Sequence, residues 1–237
     1  MPGTFTVTVS DSVLVHGLEV GAPDSSTRTL AIDHTVFQLD GAGVVHTGGV
    51  LSLTGGATHG VTGQLQVRGG EIRLSDAAWR LYTRLESGAF IFEGTTPNLI
   101  GAPAFVATGG DVIWRSADTL LVFADSTSIS LQGATFTFET RAVFVPMAPF
   151  PGTPWFGDLR FFADSVQATS LTLYSMNANV SGTVSIVEQA SPPSGTAFDL
   201  IRLENGATLT GSPVMGTAGY VLLVNPEAGV GLRAIRN

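Results

Sequence analysis

The chain contains no cysteine. That excludes disulfide staples, thiolate metal sites and cysteine nucleophiles, so stability has to come from packing. Lysine is also absent, and all eleven basic residues are arginine. Charged side chains make up only 13% of the residues, and their balance is a formal −8. Nucleic acids and anionic membranes attract basic surfaces, so neither is an expected partner. No apolar run approaches the roughly eighteen residues that a membrane span needs. The opening stretch "MPGTFTVTVSDSV" lacks the basic start and continuous apolar segment of a secretory signal. The expectation is therefore synthesis in a cytoplasm, with no membrane insertion.

What is abundant is short alternation. "TFTVTVSDSVLV", "VLSLT", "QLQVR", "EIRLS", "SISLQ", "TFTFET" and "SLTLYS" each place apolar side chains on one face of a strand. Amphipathic helices are scarce. "DAAWRLYTRLES" is read as a strand, with Trp79, Leu81 and Leu85 opposite Arg80, Tyr82, Arg84 and Glu86, because aromatics and threonine suit a pleated surface. With 44% hydrophobic residues and 29 glycines the composition is that of an ordered all-β chain.

The strands recur with a period. Leu51, Leu65 and Ile72 fall on a seven-residue step whose missing member is Thr58, and Leu53, Val67 and Leu74 run parallel to them, with Gly60 at the weak position. Three steps make a unit of about 21 residues, which extends backward to Leu30 and Ile32 and then to Val7 and Val9. Further on, Ile129, Phe136 and Val143 repeat the step beside Leu131, Phe138 and Val145, and Leu171 with Leu173 lie two units beyond. The columns lapse between about 85 and 120. A unit of this length built of short strands and glycine turns predicts a β-solenoid, in which each coil buries its apolar face only by stacking on the next. Each inward Leu, Ile or Val then contributes roughly 1.5–3 kcal/mol of burial. A β-sandwich or jelly roll, with strands every eight to twelve residues, is the alternative. The expected organisation is one elongated domain over 1–237, with a subdivision at the Pro-rich stretch 146–155. "EGTTPNLIGAPAF" and "VPMAPFPGTPWF" are expected to be loops that interrupt the repeat, since proline supplies no ladder donor.

"TVTVSDSVLVHGLEV", "TLAID", "GGVLSLTGG", "ENGATLTG" and "AGYVLLVNPEAGVGLRAI" resemble the strand repeats of autotransporter passengers and related right-handed β-helical surface proteins, phage fibre and decoration proteins among them. The resemblance covers about half the chain. It implies a parallel β-helix and a surface role, although the chain shows neither the signal peptide nor the carboxy-terminal barrel of the autotransporter family.

Candidate chemistry is sparse. The glycine doublets at 48–49, 55–56 and 69–70 lack the GK[ST] of a phosphate loop and read as corners between strands. His16, His34, His46 and His59 match no metal-ligand spacing; His46 shares the column of Val67, and the others are expected to face solvent. Glu71, beside Arg73, is a candidate member of a carboxylate pair for glycoside cleavage. Asp11, Asp76, Asp118, Asp125 and Asp164 read instead as turn formers. Thr-x-Thr at 6–8, 27–29 and 135–137 is too isolated for an ice-binding rank, and Asn179-Val180-Ser181 matches a glycosylation sequon by pattern alone. Met147, Phe150, Trp155 and Phe156 form an apolar set on the Pro-rich loop, suited either to partner contact or to covering the core.

These observations point to a structural or adhesive protein with no catalytic, cofactor or metal site: a tailed-phage head-decoration, fibre or spike subunit located in the virion. Its expected partners are copies of itself, a trimer among the options, other virion or surface proteins, and a host glycan. A bacterial cell-surface adhesin is the second reading and a polysaccharide-degrading β-helical enzyme the third.

Overall fold

The computed structural model describes residues 4–22, 26–60, 63–101, 104–116, 120–123, 128–146 and 153–237. Their regular structure is entirely β, arranged as a parallel β-solenoid with coils of about 23 residues. A 15-stranded sheet and an 11-stranded sheet wind together, and the larger one bends sharply, so that each coil has three faces. The first face begins with Thr4–Val9, Thr27–Asp33 and Gly49–Thr54, the second with Val13–Val15 and Val36–Leu39, and the third with Leu18–Val20 and Ala42–His46. Parallel pairing is the rule throughout the stack, as expected of strands that each feed the coil above.

The inward columns of the first third are those that the spacing predicts. Val7 registers with Leu30, Leu30 with Leu51, and Leu51 with Ile72; Val9, Ile32, Leu53 and Leu74 run alongside. Thr58, the gap in the seven-residue series, is in fact an inward, buried residue whose hydroxyl accepts a 2.8 Å bond from the Arg80 amide. The seven-residue step is the spacing from one face to the next. Trp79, Leu81 and Leu85 are all buried, Trp79 and Leu85 on strands as read and Leu81 in the bend between them.

Several expectations are corrected. The columns do not lapse between 85 and 120: Ile72 continues through Phe90, Val112 and Phe136 to Leu159, and Leu74 through Phe92, Trp114 and Phe138 to Phe161. The coil length varies there, from 18 residues between Ile72 and Phe90 to 22 between Phe90 and Val112 and 24 between Val112 and Phe136, and aromatics replace Leu and Ile. In the longer coils rings fill the interior: Phe138 stacks between Phe136, 4.5 Å away, and Phe161, 5.0 Å away at 12°. Val143 and Val145 are not in the inward columns, because Ala142 and Phe144 take those places. Leu171 and Leu173 are buried on the second face rather than above Ile129 and Leu131. "EGTTPNLIGAPAF" does not interrupt the repeat. Asn98–Ile100 is a regular second-face strand, and the buried Asn98 accepts from the Ala77 amide at 3.2 Å while donating to the Glu93 carbonyl at 2.9 Å and Ser116 Oγ at 3.2 Å.

The corner between the third and first faces is built from glycine. Gly49, Gly70, Gly88, Gly110, Gly133, Gly157, Gly182 and Gly211 recur there coil after coil, and at each of them an added Cβ would lie under 3 Å from backbone of the preceding coil. At Gly88, for example, it would be 2.0 Å from the Gly70 carbonyl oxygen. The doublets at 48–49 and 69–70 are thus corners of this edge, as expected, while Gly55 and Gly56 form the corner into the second face. The ladder runs on both sides of the Pro-rich stretch, since Ala142–Pro146 pairs with Leu171–Tyr174 and Ser128–Phe138 pairs with Trp155–Ala163.

At the carboxy-terminal end the direction reverses. Tyr220–Glu227 and Val230–Arg236 form an antiparallel hairpin that pairs with the last second-face strand, Ala197–Glu204. The Tyr220 hydroxyl donates to Glu188 at 2.8 Å and Arg236 lies 5.2 Å over the Tyr220 ring, tying the hairpin to the stack. Burial and the bond to Glu188 push the phenol up to about 12. "AGYVLLVNPEAGVGLRAI" is therefore a closing hairpin and not another coil of the repeat.

Candidate functional site

The corner between the first and second faces is tight in the early coils: Asp76 and Ala77 alone connect Gln64–Ser75 to Ala78–Trp79. Two later coils insert longer segments there, at 164–170 and 189–196. The first is a small folded excursion. Asp164 Oδ1 accepts from the amides of Val166 and Gln167, both at 2.8 Å, and Ala163 bridges Ala168 in antiparallel fashion. The Thr169 hydroxyl accepts from the Phe162 amide at 2.9 Å and donates to the Phe138 carbonyl at 2.7 Å, which anchors the excursion to the coil below. The two amide bonds hold the Asp164 carboxyl below its ordinary value.

Between this excursion and the second face lies a cleft of about 660 Å³. Its lining includes Phe162, Gln167 and Ser170 on the excursion side, with Arg202 and Arg233 on two other strands and Arg141 just before the strand Ala142–Pro146. Arg233 is held by Asp199 and Glu227, each at 2.6 Å, and those two bonds raise its already high pKa. Arg141 and Arg202 are exposed, and neither forms an ion pair among the described residues. Ladder register puts them on one face with strand 171–174 between them: Thr172 pairs with both Val143 and Arg202, so Arg202 lies level with the position two residues beyond Arg141. Two rungs separate their strands, about 10 Å. Thr172 between them is buried, with its hydroxyl unpartnered.

The residues singled out from sequence are scattered by comparison. His46 is not in the column of Val67; it registers with Arg68 and Gly69, faces outward and approaches Glu19 at 3.3 Å. His34 sits exposed at a corner 2.5 Å from Asp33, His16 is exposed, and no more is described of His59 than its place on the strand Ala57–His59. Among the described residues no three His, Asp or Glu converge as a metal site would require. Glu71 is outward and bound to Arg73 at 2.8 Å. Asp76 acts as a corner former with positive φ, its Oδ1 accepting from the amides of Thr95 at 2.7 Å and Thr96 at 2.6 Å on the next coil. Partial burial opposes ionisation there, but the bonds from Thr96 and Thr95 outweigh it and the carboxyl lies below its ordinary value. Asp118 and Asp125 lie outside the described residues.

Of the aromatic set, Met147 and Phe150 also lie outside the described residues. The other two separate by strand alternation. Trp155 is 43% exposed, whereas Phe156 is 1% exposed and packs near Phe136 and Phe144, so it covers the core and offers no surface to a partner. Asn179 registers with Trp155 and donates to Thr210 at 3.1 Å, which makes it a rung of the stack.

Sequence reasoning missed Arg141, Arg202 and the cleft itself. The available signal was the lengthening of the connections around Asp164 and around the run Ser191-Pro192-Pro193-Ser194-Gly195, both placed between strands of one column. By class the chain is a parallel β-solenoid with one elaborated corner. Neither a protein-family model nor a curated protein sequence matches it.

Proposed function

We propose that this protein is a non-enzymatic structural and adhesive component that works by shape. A rigid solenoid presents its elaborated corner and exposed aromatic positions to neighbouring subunits or to a surface. The supporting observation is the division of labour along the chain: the interior is filled by stacked apolar rows, while two long connections, 164–170 and 189–196, share one corner of the later coils. In a quasi-one-dimensional stack each coil needs only its neighbours, so a corner can lengthen without disturbing the rod. We further propose that its place is the surface of a phage virion, as a decoration, fibre or spike subunit in a homo-oligomer, in keeping with the acidic, cysteine-free composition. Mass spectrometry of purified particles and native mass measurement test this. Stoichiometric presence in particles is the expected result. Recovery in a bacterial envelope fraction instead would transfer the role to a cell-surface adhesin. Release of reducing sugar from a polysaccharide panel, lost in Glu71→Gln, would replace the structural reading with an enzymatic one.

A further inference from the structure

We infer that the cleft beside the 164–170 excursion is a binding site for an acidic saccharide, with Arg141 and Arg202 receiving the sugar carboxylate. Its volume of about 660 Å³ lies within the usual range of small-molecule clefts, roughly 300–1,000 Å³. The protein is acidic overall, at −8, yet this cleft brings three of its eleven arginines together with two aspartates. Asp199 is paired with Arg233 and Asp164 is bonded to its own loop amides, whereas Arg141 and Arg202 lack any carboxylate partner among the described residues. An arginine facing an anionic ligand forms paired, charge-assisted hydrogen bonds that match a carboxylate's planar geometry. The third, Arg233, is neutralised by Asp199 and Glu227 and so forms a fixed wall. Gln167, Gln189 and Ser170 supply amide and hydroxyl groups of the kind that read sugar hydroxyls, and Phe162 supplies an apolar surface for a ring.

The alternative anionic ligand, an acidic peptide, is disfavoured by the pairing of the walls. Extended peptides are commonly held by adding a strand to a free sheet edge. Every strand that lines the cleft is already paired on both sides: 155–163 between 128–138 and 183–188, 171–174 between 142–146 and 197–204, and 197–204 between 171–174 and 230–236. A ligand there has to be held by side chains. This inference concerns the isolated protein and stands apart from its location in a particle.

The test is calorimetric titration of the full chain with short oligosaccharides ending in glucuronate, galacturonate or sialate, each beside its carboxyl-reduced or neutral counterpart. Saturable binding is expected for at least one acidic member, with loss for its neutral counterpart and weakening as salt rises, since the charges lie near solvent. Arg141→Gln and Arg202→Gln should each reduce affinity roughly ten- to a hundredfold, the span that follows from losing a charged hydrogen bond. Arg160→Gln, an exposed arginine that does not line the cleft, should bind as the parent does. Unchanged circular dichroism and thermal midpoints would show that the variants are folded; if one is not, the contrast between acidic and neutral sugar still decides. No binding of any acidic saccharide at millimolar concentration would overturn the inference. So would equal affinity for the neutral counterparts, binding insensitive to both arginines, or tighter binding of an aspartate-rich hexapeptide.

Discussion

Replacing Gly157 with alanine isolates the role of close approach at the glycine corner. This residue is outside the left-handed region, so alanine brings no backbone strain of that kind. Were the corner open, the substitution would stabilise by about 0.4–1 kcal/mol through the unfolded chain. The added Cβ, however, would lie 2.4 Å from the Gln132 carbonyl oxygen and 2.8 Å from its carbon. Carbon atoms rest at about 3.5–4.0 Å, so the coils have to part by roughly 1 Å. Those coils are registered on either side of the corner, Leu131 with Phe156 and Thr135 with Asp158. Weakening two or three ladder bonds at about 1 kcal/mol each, with some loss of contact at Phe156, gives a cost of about 2–4 kcal/mol. The assay is guanidinium unfolding followed by far-ultraviolet circular dichroism, with hydrogen exchange to locate the damage; exchange should accelerate at residues flanking 131–135 and 156–158 before remote coils respond. Gly206→Ala is the counterpart, with φ of +77 and nothing within 4 Å; it carries only left-handed strain, about 1–2 kcal/mol. A neutral or stabilising Gly157→Ala would refute the claim that bare backbone contact sets this edge.

Four further outcomes are expected. Phe156→Ala should destabilise by about 3–5 kcal/mol, while Trp155→Ala, exposed on the same strand, should leave the fold intact and weaken particle association; global unfolding of Trp155→Ala in circular dichroism would contradict the placement. Asn98→Ala should cost about 2–3 kcal/mol in denaturant midpoint, because it strands the Ala77 amide and leaves the Glu93 carbonyl and the Ser116 hydroxyl short of a partner. The Asp76 carboxyl is depressed in the folded chain, so its contribution is present above the unfolded value near 3.8 and is lost as pH falls through the lower folded value. Denaturant midpoints at pH 7 and below pH 3 should therefore differ less in Asp76→Asn than in the parent. Arg115→Ala, which removes exposed pairs with Glu139 at 2.7 Å and Glu93 at 3.5 Å, should cost under about 1 kcal/mol, less still at high salt.

The early coils were legible in the sequence because their inward positions are aliphatic and their connections short, so a step of 21 residues runs from Leu30 to Leu51 and Ile72, with one of 23 before it from Val7. Beyond Leu85 the same rows continue as Phe90, Phe92 and Trp114 with coils of changing length, and a fixed step loses them. Val143 fell on that step while Phe144 held the inward place, because a lengthened coil shifts parity by one residue. The carboxy-terminal hairpin alternates just as a coil does, and alternation carries no sign of strand direction. The candidate site was the least legible. Arg141, Ser170 and Arg202 are far apart in sequence, and only the ladder register of the second face assembles them.

The glycine edge also limits where this molecule can change. Whatever neighbours such as Thr47, Ser87 and Thr108 carry, the glycine position of each coil has no side chain, and it is this position that repeats unchanged along the edge. Any substitution there risks the rod before it can create a contact. The two insertions bordering the arginine cleft are found at a different corner. The glycine row thereby gives the rod an orientation, with one corner held by close backbone packing and another able to lengthen.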